Sequence, residues 1–500
     1  LLLLVHCAGS TLAVTEHHRC IYDHVNRPAD NPDVVDITQQ PPQSMGIMAE
    51  AAEAHGTTVR ETAEVLEQQT TSSSVTSTYM PIRIKVFLLD SVKRPGCKNV
   101  GDTYLNVLGK GVSCTKEDIM SQEKWDILNH TIIPEAVKLH ADRLNVKPLD
   151  KSIVMPNYSD NTICGRLEIP EEHKTKGVKD ADMVLYATAA PIVDGTFAWA
   201  TMCAVHTDGR PLIGMINYSP RHIARTSQAV RVAAHEIAHT LGFSVAVLNA
   251  RGSVKESSRP FRGRYVYLAS KKSVKKQMEL HYGCKSSEGM ELEDEMVLLP
   301  ATREKKGRKS VEKEEPIAGL EKFGLSSHWK RRHAKDELMA GLVGAGHYTG
   351  LTLAAFEGLG YYSVDYSKAE TMSWGKNAKC EFLWVTKCVV NGETPYPSMF
   401  CTDSTDKKLR CTSDRQALGT CVIENHTKIP EIYSYFKMTK DNKMPGGRRE
   451  DMMDYCPIIV ASTGFSCIDG TESKMPGSLI REDSRCVHGN GLTVKGKPIG

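Results

Sequence analysis

The chain lacks a charge imbalance. Lys and Arg number 63 against 60 Asp and Glu, a formal net charge of +3 over 500 residues. So small an excess makes no case for nucleic acid or a membrane surface as partner, since both call for a concentrated basic face. There is no C-x-x-C pair, which excludes the common cysteine knuckle for structural zinc and the thioredoxin-type redox pair. There is no G-x-S-x-G elbow, so a serine hydrolase of that design has no support. The apolar run at the start, Leu1 to Val5, is too short to span a bilayer.

Cysteine, by contrast, is plentiful. Fifteen are present, and they thicken toward the C-terminus at Cys380, Cys388, Cys401, Cys411, Cys421, Cys456, Cys467 and Cys486. Scattered without metal-type spacing, they read as disulfides formed in an oxidising compartment. Four Asn-x-Ser/Thr sequons, at Asn129, Asn157, Asn217 and Asn425, agree with passage through the secretory pathway. Asn217 is the weakest of them, because Pro220 follows its Ser219. The opening apolar run ends in Ala8, Gly9 and Ser10, and residues 1–15 read as the tail of a secretory leader.

An apolar share of 40% and a length of 500 residues suit a soluble globular chain of two or three domains. Residues 16–78 are polar and poor in pattern, with Pro28, Pro32, Pro41 and Pro42 and a closing Thr/Ser run from Thr70 to Thr78. They read as a loosely ordered, protease-accessible segment. His18, Arg19 and Cys20 lie inside it, and a lone thiol ahead of a metal site can serve as a removable ligand. An unpaired cysteine in a disordered stretch is the plainer alternative. Ile82, Ile84, Val86 and Leu88 alternate, which predicts a strand. Residues 115–143 predict a helix, and Met183–Ala189, Phe197–Cys203 and Leu212–Asn217 predict strands, the last two separated by a turn at His206–Gly209. Strands and helices before residue 245 imply an α+β layer. The basic stretch 250–276 and the mixed-charge run 302–315 read as solvated loops, with a polyanion patch as the minor reading.

One stretch carries chemistry. His235, Glu236 and His239 spell His-Glu-x-x-His, and Gly242 follows three residues on. Val230, Ala234, Ile237 and Leu241 form an amphipathic stripe, Thr226 or Ser227 offers an N-cap and Gly242 a stop. Residues four apart on a helix share a face, so both imidazoles can meet one zinc ion. Glu236 stands where a general base for a zinc-bound water is needed. Catalytic zinc takes three protein ligands; His281, His328, His333 and His347 are the downstream candidates, and composition does not choose among them.

From His328 through Met339 to Gly341 the chain resembles the leishmanolysin family, the major surface metalloprotease of trypanosomatids within the metzincin clan. Ser326-Ser327-His328-Trp329 is similar to the family's third-ligand segment, and Asp336 to Ala340 to its Met-turn. Trp199 to Cys203, His235 to Ser244, Leu351 to Glu357, Ala378 to Leu383, Pro397 to Cys401 and Met453 to Pro457 extend the resemblance. It implies His328 as third zinc ligand, Met339 as a floor under the metal that does not bind it, and Cys20 as a cysteine switch. It also implies the disulfides Cys97–Cys114 and Cys164–Cys203. Three departures stand out: a longer charged insertion at 302–320, His333 in place of Asn and His347 in place of Tyr, either of which offers a competing ligand. The resemblance further implies a C-terminal domain continuing past residue 500, with the partner of Cys467 beyond it. No hydrophobic tail of an anchor signal is visible.

The expectations are these. The fold is α+β, a metzincin-like zinc protease with a mixed sheet and an active-site helix. Its parts are a leader over 1–15, a propeptide over 16–78, a catalytic subdomain over 79–245 with the zinc helix, a central subdomain over 246–380 with the third His and Met-turn, and a Cys-rich domain over 381–500. The activity is zinc endopeptidase action on proteins or peptides at the cell surface or outside the cell, from a zymogen. A catalytically impaired surface adhesion protein of the same fold is the alternative.

Overall fold

A computed structural model describes residues 18–26, 35–36, 78–89, 96–160, 162–192, 195–294, 325–384, 387–405, 407–487, 492–494 and 497–499. The leader at 1–15, the stretch 37–77 and the insertion at 302–320 lie outside these residues.

The chain enters as strand β1 (His18–Arg19), a one-turn helix α1 (Tyr22–Val25) and strand β2 (Val35–Asp36). The alternation at 82–88 forms β3 (Ile84–Leu88). The helix expected over 115–143 starts later and is not uniform. After a short turn at Lys116–Asp118 it runs as Gln122–Ile127, a wide π turn at Leu128–Ile132, and then α2 (Ile133–Ala141). Pro134 gives the physical reason. It has no N–H for the carbonyl four residues back and its ring crowds that carbonyl. Widening the turn by one residue absorbs both effects.

Strands β4 (Met183–Ala189), β5 (Ala198–Val205) and β6 (Pro211–Tyr218) follow. β5 and β6 pair antiparallel across the turn at 206–209, where Gly209 takes φ +88°. The five strands form one mixed sheet in the order β2-β5-β6-β4-β3. β3, β4 and β6 run parallel to one another, while β5 and β2 run the other way. Every residue of β6 is buried, as in a strand covered on both faces. One face packs helix α3 (Ser227–Thr240) through Ile216 and Tyr218 against Val230, Ala233 and Ile237. The other face packs Tyr186, Ile213 and Met215 on Ile153, Met155 and Leu167. Gly214 lets α3 sit close. A Cβ there would lie 2.7 Å from the Thr240 Cβ and 3.0 Å from the Met183 Cε.

The basic stretch 250–276 is not the solvated loop its charge implies. It carries strands Val254–Glu256 and Tyr267–Ala269 and the start of a helix, Lys272–Tyr282. The two strands join β7 (Met290–Asp294) and β8 (Leu325–Trp329) in an antiparallel sheet. Several cations are paired across it: Lys255 with Glu288, Arg262 with Glu291, and Arg264 with Asp294. Arg259 stacks its guanidinium 3.5 Å above the Trp384 ring. The acids that neutralise this stretch come later in the chain, which a local charge count cannot register.

Strand β9 (Leu342–Val343) pairs antiparallel with β1, and helix α4 (Gly350–Leu359) follows. The C-terminal part carries the sheet of β10 (Arg410–Cys411), β11 (Ala417–Cys421) and β12 (Ile459–Ser466), and two two-stranded pairings, Glu424–His426 with Met444–Gly446 and Leu492–Val494 with Lys497–Ile499. Disulfides Cys388–Cys456, Cys401–Cys421 and Cys411–Cys486 tie it down. Cys97–Cys114 and Cys164–Cys203 form as the resemblance implies, and Cys284–Cys380 completes six among the described residues. Cys20 and Cys467 are free. No helix among the described residues is long and apolar enough to cross a membrane.

Candidate metal centre

Helix α3 begins at Thr226, whose hydroxyl accepts from the Ala229 N–H at 3.2 Å, and it stops before Gly242, which takes φ +104°. Both features follow from local chemistry: a hydroxyl satisfies a free N–H at the start, and glycine tolerates the left-handed turn at the end. Val230, Ala234, Ile237 and Leu241 lie in the main core. His235 and His239 stand one turn apart on the face beside that stripe, and both are fully buried.

Each ring is oriented through Nδ1. His235 Nδ1 donates to the Leu338 carbonyl at 2.6 Å, and His239 Nδ1 to the Phe243 carbonyl at 2.7 Å. His328, on β8, has its Nδ1 2.7 Å from Ser326 Oγ. That hydroxyl donates to Asp23 at 2.8 Å, so it accepts from the His328 N–H. A carbonyl can only accept, so the proton of each ring is on Nδ1 and Nε2 carries a bare lone pair. The Nε2 of His239 lies 3.1 Å from that of His235 and 3.3 Å from that of His328. These are not hydrogen bonds, because no proton is left to share. Lone pairs so close repel unless a cation lies among them.

Burial holds all three rings in the neutral form that binds metals. It brings His235 down to about 4 and holds His239 and His328 well below the usual imidazole range, with neighbouring histidines adding to the effect in those two. Cys20 Sγ lies 3.5 Å from His239 Nε2. The four ligand atoms of Cys20, His235, His239 and His328 all lie within 4.8 Å of one another. Tyr22 stacks on the His239 ring at 4.1 Å and 12°. The donor set, three neutral imidazoles and one thiol, fits a metal ion of borderline softness.

Glu236 is fully buried beside the cluster. Its Oε1 accepts from His18 Nε2 at 2.9 Å, and the Cys20 thiol and the Ala200 N–H lie against the same carboxyl. Burial pushes its carboxyl well above the ordinary range. His18, Cys20, His235 and Glu236 also converge within the same 4.8 Å. His18 is no ligand there, because one ring nitrogen receives the Phe197 N–H and the other holds the proton given to Glu236.

Met339 is fully buried in the turn after β8. The residue before it, Leu338, holds His235 by its carbonyl. Gly341, two residues on, packs against His328, its Cβ position 3.4 Å from that ring. The turn is held from below by Glu337, which accepts from the Met339 N–H at 2.6 Å and from the Thr349 and Thr352 hydroxyls at 2.9 and 2.7 Å.

The remaining candidates lie elsewhere. His281 bonds the Trp374 carbonyl. His333 is buried between Arg262 and Glu291, and neither it nor the half-buried His347 is among the converging donors. Among the sequons, Asn129, Asn157 and Asn425 are exposed. Asn217 is buried in β6, its amide bonded to the Ala190 carbonyl and to Thr188, which leaves no room for a glycan in the folded chain. Sequence reasoning passed over His18, Asp23, Ser326 and Glu337 as site residues. No spacing rule signals contacts that close across 218 or 303 positions.

Comparison with known proteins gives a single family. The leishmanolysin family model matches residues 18–497. A leishmanolysin homolog of Crithidia fasciculata is 38% identical over 405 residues, covering 79% of this chain and 56% of its own. Leishmanolysin of Leishmania major is 36% identical over 409 residues, covering 79% and 61%. A leishmanolysin-like peptidase of Caenorhabditis elegans is 27% identical over 453 residues, covering 74% and 67%. The chain thus spans little more than half of the length of the trypanosomatid relatives it matches.

Proposed function

The chain belongs to the leishmanolysin family, and from that premise we propose that it is a secreted or cell-surface zinc metalloendopeptidase held latent by its own N-terminal segment. The observation that carries this reading is the convergence of three bare imidazole nitrogens and a thiol beside a buried glutamate. A tetrahedral zinc with bonds of about 2.0 Å to nitrogen and about 2.3 Å to sulphur sets its nitrogens roughly 3.3 Å apart and its sulphur roughly 3.6 Å from them. The spacings here are 3.1, 3.3 and 3.5 Å. His235, His239 and His328 would hold the ion, with the Cys20 thiol as a further donor in the latent chain and Met339 in the turn that follows His328. Zinc bound there supplies a Lewis acid for the scissile carbonyl and eases the deprotonation of water.

The rest falls to the chain's own residues. Glu236 takes a proton from the attacking water as its oxygen bonds to the carbonyl carbon. The same carboxyl returns the proton to the amide nitrogen as the C–N bond breaks. The N-terminal segment must leave first. Asn26 donates to the Ala200 carbonyl at 3.1 Å, and β2 pairs along β5 with Val35 opposite Ala204. Departure of residues up to about 78 would free the edge of β5 for an extended peptide, which could add there as a strand. The chain is read as a metzincin-like catalytic subdomain over 79–245, a central subdomain over 246–380 and a Cys-rich domain over 381–500. Six disulfides favour a secretory route. His333 and His347 stay out of the donor cluster, so the peptidase reading is preferred to the adhesion reading.

The test is Glu236→Ala in the chain freed of its N-terminal segment. One zinc per chain is expected to remain while peptide cleavage falls by about 10²-fold or more. Undiminished cleavage would sink the mechanism.

A further inference from the structure

The N-terminal segment touches the site through two side chains, His18 and Cys20. Residues i and i+2 of an extended strand face the same side. His18 and Cys20 therefore both look inward, while Arg19 between them reaches out to the Glu450 carbonyl. Cys20 stands at the imidazole cluster, and its thiol also lies beside the Glu236 carboxyl. His18 stands at Glu236, and its ring is fixed from both sides. The Phe197 N–H can only donate, and it meets His18 Nδ1 at 3.0 Å. The ring proton is therefore on Nε2, aimed at Glu236 Oε1 at 2.9 Å. The backbone is fixed as well. His18 pairs with Val343, Arg19 pairs with Leu342, and the Arg19 N–H donates to the Gly195 carbonyl at 2.8 Å. Downstream, Asp23 anchors the segment to β8 through the Ser327 N–H at 2.9 Å.

We propose that His18 is a second latch, separate from the thiol, that keeps the site closed by occupying the Glu236 carboxylate. The proposal rests on the peptidase reading for the role of Glu236, and it adds a partner for the base to the thiol at the metal position. Its consequence is specific. Oxidising, alkylating or deleting the Cys20 thiol leaves the base still engaged, so opening requires the segment to leave as a unit.

Two experiments on the full chain decide it. The first needs no metal. In metal-stripped protein the alkylation rate of Cys20 by iodoacetamide is followed by mass spectrometry of its peptide, with Cys467 as internal reference. His18→Ala is expected to raise that rate about tenfold, the scale of one lost buried hydrogen bond. His18→Gln, which keeps a donor, is expected to fall between the two. In a Glu236→Ala background His18→Ala should add nothing further. Equal increments in both backgrounds, or no increment in either, overturn the latch. If Glu236→Ala does not fold, the order wild type, His18→Gln, His18→Ala decides alone. The second experiment measures peptide cleavage by zinc-loaded chains before and after removal of the segment. Uncut Cys20→Ser should stay below a tenth of the cut rate, and Cys20→Ser/His18→Ala should exceed it several-fold. If uncut Cys20→Ser is as fast as the cut chain, the thiol is the sole latch. If cut wild type cleaves nothing, the peptidase reading fails, and the alkylation cycle still decides the His18 contact.

Discussion

Glu337 is the residue whose chemistry the sequence least announces. It is fully buried, and no cation is among the hydrogen-bond partners the structure gives it. Four donors from Met339, Thr349 and Thr352 surround it, yet burial outweighs them and lifts its carboxyl to about 7. An unfolded chain titrates the same group near 4.3. The sign follows. The folded state binds the proton more tightly, so the contribution to stability is full below about pH 4.3 and is lost as pH rises through about 7. The difference is of order 4 kcal/mol. Glu337→Gln cannot titrate, so its urea unfolding free energy is expected to fall less than wild type between pH 5 and pH 8. Glu293, also lifted to about 7 by burial, titrates in both proteins and cancels in the comparison. Parallel declines in the two proteins would refute the assignment.

At the scale of elements, the seating of α3 on β6 aims the histidines. Thr240 follows His239 directly, and Gly214 lies under it with no room for a Cβ. Gly214→Ala is expected to lift the C-terminal turn of α3, cost about 1–3 kcal/mol, and weaken zinc affinity at least tenfold with the far-ultraviolet circular dichroism unchanged. Unaltered zinc affinity would show that α3 does not depend on this contact. The element itself was legible, because its cap, stripe, stop and two candidate ligands all lie within 17 residues, Thr226 to Gly242. So were β3 by its alternation and the hairpin of β5 and β6 by its turn. The π turn before Pro134 was not, because helical spacing looks alike on either side of it. Strands Val254–Glu256 and Tyr267–Ala269 were hidden by charge whose partners, Glu288, Glu291 and Asp294, come later in the chain. His18 on Glu236 was hidden for the same reason in stronger form: the contact exists only once the fold has closed.

At the scale of the whole molecule, the site depends on closing one long loop. His328 reaches His239 from 89 residues away. Cys284–Cys380 overlaps that return, closing a span of 96 residues that contains His328, Met339 and Glu337. In the chain-entropy account a loop of that length is worth about 4–5 kcal/mol to the folded state, and removals of such bonds cost about 2–5 kcal/mol. Under the proposed reading zinc would act on the same return from inside, since the His235, His239 and His328 set is complete only when His328 has arrived. Present at a thousand times its dissociation constant, it adds about 4 kcal/mol. Two fastenings of similar size on overlapping loops that share His328 should substitute for each other in part. Cys284→Ser/Cys380→Ser is therefore expected to unfold at lower urea than wild type when metal-free, and zinc should bring it back close to metal-free wild type. Replacing His235, His239 and His328 by Ala in that background should abolish the recovery. A double-Ser variant as stable as wild type, or one that zinc leaves unmoved, would mean that the loop is held elsewhere, most directly by the pairing of β7 with β8.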